Sequence, residues 1–184
     1  MSWIDQRPDD AMDGAFTAVG PETVPTIEAA LFREGMSRMG AAVHVITTAG
    51  PAGRAGTTAT AVCSVSDAPP TLLVCLNRAN RTNSVLLQNK VFCVNTLRDD
   101  GAAMADLFAG RTGIRGAERF ATGEWVTLAT GSPVLASAVV AFDCRVIEVR
   151  SAGSHNVVVG AVETVRLGES GPVLVYHERA YKRI

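Results

Sequence analysis

The residues best suited to chemistry lie in the run 53–78, GRAGTTATAVCSVSDAPPTLLVCLNR. It opens on a Gly-rich turn and continues through Thr57, Thr58, Ala59, Thr60, Ala61 and Ser64. It breaks at Asp67-Ala68-Pro69-Pro70, turns wholly apolar and ends in Asn77-Arg78. Gly53 and Gly56 permit backbone angles closed to other residues. The Thr and Ser hydroxyls donate and accept, and successive amides cradle an anion where a chain bends. Side chains this small let a flat ligand, or its phosphate, approach the backbone closely. The same residues also suit a half-buried strand with threonines on its wet face, and spacing alone does not separate the two readings.

Three other places carry polar groups of interest. The segment 77–84, NRANRTNS, follows an apolar strand and opens a helix. Helix N-termini present free amides and a positive dipole end, which suit phosphate. Arg78 and Arg81 add charge, and Thr82, Asn83 and Ser84 add hydrogen-bonding groups; an exposed, well-capped helix start explains them equally. His155 sits in the turn Ser151-Ala152-Gly153-Ser154-His155-Asn156, where it is either a surface residue or a polar contact to a planar ligand. The tail 176–181, YHERAY, ends on Tyr181, which either closes a polar chain end or faces a ligand or a neighbouring subunit. HExxH, GxSxG and Walker A patterns are absent, which weakens metalloprotease, serine-hydrolase and P-loop readings.

Cys63, Cys75, Cys93 and Cys144 form no CxxC and no zinc spacing. The expectation is four buried, reduced thiols acting as small hydrophobes, and no metal site. Net charge is −1, so no basic footprint argues for nucleic acid. No apolar run approaches the roughly 18 residues that cross a bilayer. The first residues, MSWIDQRPDD, lack the apolar segment of a secretory signal, so the expected location is the cytoplasm.

The positioning elements follow from periodicity. Residues 1–25 show no apolar pattern and read as an N-terminal arm, leaving 26–184 as one domain. Thr26 can cap a helix from Ile27 to Met39, with Leu31, Phe32, Gly35, Met36 and Met39 within an arc of about 140°. That predicts an amphipathic helix lying on a core. Strands are expected at 42–48, 57–66, 71–77, 91–96, 138–150, 157–166 and 173–176, and further helices at 80–89 and 99–109. Phe120 and Trp125 read as anchors of the turn-rich segment 110–135. Short turns between successive strands favour antiparallel pairing. No strand–helix alternation and no GxGxxG appear, which argues against a dinucleotide-binding α/β fold. The fold class is mainly β: an antiparallel, Greek-key-like barrel with peripheral helices.

The order FREGMSRMGAAVHVITT, GRAGTTATAVCSVSDAPPTLLVCLNR, FCVNTL, AFDCRVIEV, GSHNVVVGAVE and VYHERAY resembles the short-chain flavin reductases. These are the small components of two-component aromatic monooxygenases, such as 4-hydroxyphenylacetate, phenol and chlorophenol hydroxylases. The flavin reductase of pyrimidine degradation is similar. The likeness runs from Leu31 to Tyr181, and Ser64-Val65-Ser66-x-x-Pro69-Pro70 is its most specific part. It implies a split β-barrel and a homodimer. It implies NADH or NADPH as reductant, FAD or FMN as acceptor, and release of reduced flavin to a separate oxygenase. Carried over by position, Thr57, Thr58, Ala59, Thr60, Ala61 and Ser64 would line the flavin. Asn77, Arg78, Arg81, Thr82, Asn83 and Ser84 would hold its ribityl-phosphate side. His155 would stand near the nicotinamide, and Tyr181 matches the aromatic of a C-terminal R-x-Y pattern. Two rival readings are a non-catalytic flavin- or heme-binding split barrel and an oxidase of the pyridoxine-phosphate type. The second needs a dedicated phosphate site, and the arginines and lysines are scattered in the sequence.

Overall fold

The structure is a computed structural model that describes residues 26–184; the N-terminal arm lies outside the described residues. Its elements in order are α1 (Ala29–Ser37), β1 (Ala41–Ala42), β2 (His44–Thr48), β3 (Ala55–Ala59), β4 (Val62–Asp67) and β5 (Pro70–Asn77). Then come α2 (Arg81–Asn89), β6 (Val91–Thr96), α3 (Ala102–Ala109), a 3-10 helix at Gly116–Ala121, β7 (Trp125–Thr127) and β8 (Pro133–Leu135). The chain closes with β9 (Val140–Ala152), β10 (His155–Leu167), β11 (Leu174–His177) and β12 (Ala180–Arg183).

Seven strands form one sheet in the order β3-β2-β6-β9-β10-β5-β4, and every pairing in it is antiparallel. β3 and β4 stand at opposite ends of that order, yet only Thr60 and Ala61 join them. A connection this short forces the sheet to curl until its edges nearly meet. The result is the expected mainly antiparallel, split-barrel architecture. The strand expected at 57–66 is thus two strands, broken at the corner where the sheet turns back.

Period-2 alternation distributes the core. In β2, Val45 packs with Val43, Leu97, Phe108, Leu135 and Leu174, while neighbouring Ile46 packs with Leu72, Val74, Leu86, Phe92 and Val158. Gly160 of β10 is required by this second cluster, because a Cβ there would come within 2.5 Å of the Phe92 ring. Phe108, Phe120 and Trp125 meet edge to face, with centroids 5.0–5.6 Å apart. That cluster anchors the turn-rich 110–135 segment as expected.

Three expectations change. The apolar face of α1 does not lie on this chain's core: Leu31 is 62% exposed, Phe32 58% and Met36 47%, and the helix buries no residue. Cap and register differ as well, since the helix begins after Glu28 without a side-chain cap. Of the four free thiols only Cys93 and Cys144 are buried; Cys63 is exposed and Cys75 half-buried. The tail is no loose end, because β12 pairs with β11, and β11 with β1, in a second sheet. Among the described residues no helix is long and apolar enough to cross a membrane.

Candidate functional site

Asn80 organises the site. Its side chain caps α2 by accepting from the Thr82 amide at 2.9 Å, and its Nδ2 donates to Thr57 Oγ1 at 2.9 Å. Thr82 Oγ1 donates to the Gly56 carbonyl at 2.9 Å. These bonds stitch the N-terminus of α2 to β3, leaving a depression on either side of the seam. Gly56 fits the arrangement because a Cβ there would strike Phe108 at 2.7 Å.

On one side lies a cleft of about 360 Å³, within the range of small-molecule sites. Its floor is Thr57, Thr58, Ala59, Thr60 and Ala61, the corner between the two edge strands. Asn77 and His155 face each other across the β5–β10 pairing and form one wall. Ser154 Oγ lies 2.9 Å from His155 Nδ1, which orients the ring. The opposite wall is Tyr176, Tyr181, Ala109 and Arg111. Here β12 brings back a residue more than a hundred positions from the floor. Tyr181 donates to Asp106 Oδ1 at 3.1 Å, and burial followed by that bond pushes its phenol above the ordinary range. Cys75 also lines the cleft, and burial pushes its thiol up, so it is present as thiol rather than thiolate.

On the other side lies a basin of about 450 Å³ lined by Arg81, Thr82, Arg115 and Arg119, together with Gly110, Gly113 and Gly116. Asn80 borders both depressions. Arginines scattered in the sequence thus converge, because the 110–121 loop folds over the start of α2. Arg119 serves the loop too, donating to the Ile114 and Phe108 carbonyls.

The structure gathers Thr57, Thr58, Ala59, Thr60, Ala61, Asn77, His155 and Tyr181 around the cleft, and Arg81 and Thr82 around the basin. It places four other candidates elsewhere. Ser64 is exposed on β4. Arg78 turns to the β9–β10 turn, donating to the Gly153 carbonyl at 3.3 Å. Asn83 is buried and accepts from Asn156. Ser84 donates to the Arg81 carbonyl within α2. Sequence reasoning missed Val43, Cys75, Leu76, Asn80, Ala109, Arg111 and Tyr176 around the cleft, and Arg115 and Arg119 in the basin. Only Asn80, at the start of the 80–89 helix, and Tyr176, in the aromatic tail, carried any signal. Among the described residues no three His, Cys, Asp or Glu side chains gather as a metal site.

A small-residue floor, an aromatic wall and an adjoining basic basin suit a planar ring carrying a phosphorylated arm. Comparison with known proteins is consistent with this. The chain is 53% identical over 158 residues to an FMN reductase (NADH) RutF of Methylorubrum extorquens, spanning 86% of this chain and 78% of that protein. It is 44% identical over 180 residues to the FMN reductase (NADH) RutF of Pantoea ananatis, spanning 94% of each. Among solved structures it resembles BorF, the flavin reductase component of a bacterial two-component tryptophan halogenase. There the TM-score is 0.79 at 29% identity, over 85% of this chain and 98% of that one. Flavin reductase PheA2 superimposes with a TM-score of 0.78 at 27% identity, over 86% and 99%. Residues 36–184, from within α1 to the end of the chain, match the family described as flavin reductase like domain, and the chain belongs to that family.

Proposed function

We propose that this protein is an NADH-dependent flavin reductase that reduces FMN or FAD and releases it to a separate flavin-dependent oxygenase. The observation that supports it most is the cleft itself, where the Thr57–Ala61 floor, His155 and Tyr181 converge beside the basic basin. The floor lets an isoalloxazine approach the backbone, and Arg81 and Thr82 at the α2 N-terminus hold the phosphate of its arm. His155 and Tyr181, on facing walls, orient the nicotinamide. The reaction is a hydride transfer: the nicotinamide C4–H bond breaks, an N5–H bond forms on the flavin, and NAD⁺ and reduced flavin result. Flavin and nicotinamide supply the redox chemistry; the chain supplies contact distance, orientation and exclusion of water. No nucleophile of the protein is required.

Identity to the NADH:FMN reductases favours FMN and NADH over FAD and NADPH. The oxygenase partner is the part of the reading drawn from the sequence resemblance, which points to an aromatic-ring hydroxylase or to a pyrimidine-degrading system. A second copy of the chain covers the exposed face of α1, giving a homodimer in the cytoplasm. The decisive measurement follows NADH absorbance with FMN, FAD or riboflavin present. Flavin-dependent loss of NADH is expected, fastest with FMN; no consumption with any of the three overturns the reading and favours a non-catalytic flavin-binding barrel.

A further inference from the structure

The hairpin that carries Tyr181 to the cleft is held at its turn by α1. β11 and β12 pair as far as His177 and Ala180, leaving Glu178 and Arg179 as a two-residue turn. Both sit at positive φ, 50° and 60°. A turn of this geometry normally takes Asn or Gly, and neither Glu nor Arg favours that region. Contacts from outside the hairpin supply what the residue types do not. The Glu178 amide donates to the Ser37 carbonyl at 2.6 Å, one of the carbonyls at the end of α1 that the helix itself cannot satisfy. Arg179 Nη2 donates to Glu34 Oε2 at 2.7 Å. Arg179, and after it Arg38, hold the Glu34 carboxyl below the usual carboxylate range, so the pair is ionised at neutral pH. α1 buries no residue, and these polar contacts tie it to the hairpin.

Tyr181 stands two residues beyond Arg179 and pairs across the hairpin with Tyr176. The two rings pack edge-on with centroids 5.5 Å apart, and the Tyr181 hydroxyl meets Asp106 and Arg111. Asp106 of α3 and Arg111 just after it therefore fix the tip of the side chain, while the turn fixes the backbone that bears it. At roughly 3.3 Å per residue, the turn lies only about 7 Å from the tyrosine pair. Backbone in a disfavoured region persists where its surroundings over-determine it, as they do here. We propose that Glu34 and Arg179 are positioning residues: their ion pair clamps the β11–β12 turn to α1 and so fixes Tyr181 at the cleft wall. Neither residue lines the cleft itself. The use of that wall, orienting a nicotinamide, rests on the flavin-reductase reading. The Arg179 and Glu34 side chains are 60% and 42% exposed, so the pair acts by a small factor.

The test compares wild type with Glu34→Gln, Arg179→Met, Arg179→Lys and the double variant Glu34→Gln/Arg179→Met. Arg38→Ala is the control, because Arg38 pairs with Glu34 from within α1. Hydrogen exchange read by mass spectrometry reports the clamp without turnover. Uptake over residues 176–182 rises in Glu34→Gln and Arg179→Met and stays at the wild-type level in Arg38→Ala. Steady-state kinetics report its use. In the same two variants kcat/KM for NADH falls about threefold while KM for FMN holds, and Arg179→Lys keeps most of the wild-type value. The double variant falls no further than either single one, because each removes the same pair. Unchanged uptake in Arg179→Met overturns the proposal, as does faster uptake with unchanged kcat/KM, or additive losses in the double variant. A wild type that consumes no NADH overturns the flavin-reductase reading instead, and the uptake alone then decides the clamp.

Discussion

His155 shows how little of a residue's role is set by its type. It is the first residue of β10, paired with Asn77 and oriented by Ser154. If it contacts the nicotinamide, His155→Ala raises KM for NADH or lowers kcat, with the melting temperature within about 1 °C; unchanged kinetics would return it to an ordinary turn residue. His44 has a different fate. Burial holds its imidazole down to about 4 from an ordinary 6.5, with Thr96 Oγ1 at 3.0 Å from Nδ1. Between those values the unfolded chain takes up a proton that the folded chain refuses. Stability is therefore lost as pH falls from 6.5 towards 4, by up to about 3 kcal/mol at roughly 1.4 kcal/mol per unit. Asp143, raised by burial, acts in the opposite sense in acid. The measurement is thus a difference between proteins: His44→Gln should give a flatter curve of melting temperature against pH across that window, and a parallel curve would refute the assignment.

At the scale of elements, the seam between α2 and β3 couples stability to binding. Asn80 caps the helix and ties it to Thr57, so one side chain serves both functions. Asn80→Ala should cost about 1 kcal/mol, or about 2–4 °C in melting temperature for a chain of this size. Because the cleft and the basin share this residue, flavin affinity should fall as well. A melting change without any change in flavin binding would mean that the seam is structural alone. The β3–β4 corner explains why small residues occupy 57–61. The sheet must turn through two residues there, and the same compactness leaves room for a ring against the backbone.

For the molecule as a whole, α1 is the unresolved debt of a single chain. Leu31, Phe32 and Met36 of α1, with Ile27 and Met39 flanking it, are each 47–63% exposed. Exposed contiguous apolar surface of this kind marks an interface. Light scattering in solution should give twice the 19.3 kDa of one chain, and Phe32→Glu should shift it towards the monomer. A wild-type mass of 19.3 kDa would remove the homodimer from the proposal. The buried thiols fit a reduced, stable core. Burial pushes Cys144 up to about 12 and Cys93 higher still, so neither reacts as thiolate while the protein is folded.

Much of the architecture was legible from local pattern alone. β6 falls at 91–96 as expected, and α2 ends at Asn89 as its periodicity requires, because alternation and capping are properties of neighbours in the chain. The floor of the cleft was visible as a candidate, since small hydroxyl residues following Gly53 and Gly56 show without a fold, but spacing did not separate it from a half-buried strand. The sequence could not show that the 57–66 run is two edge strands joined at a corner, nor that Arg81, Arg115 and Arg119 share one basin. It could not separate Asn77, which lines the cleft, from Arg78, which points to a turn, because Asn77 is the last residue of β5 and Arg78 lies just past it, and pairing with β10 decides where the strand ends. Arg111, Tyr176 and Tyr181 meet because β12 folds back beside α3. Their proximity depends on contacts between segments some seventy positions apart, which the tertiary structure alone supplies.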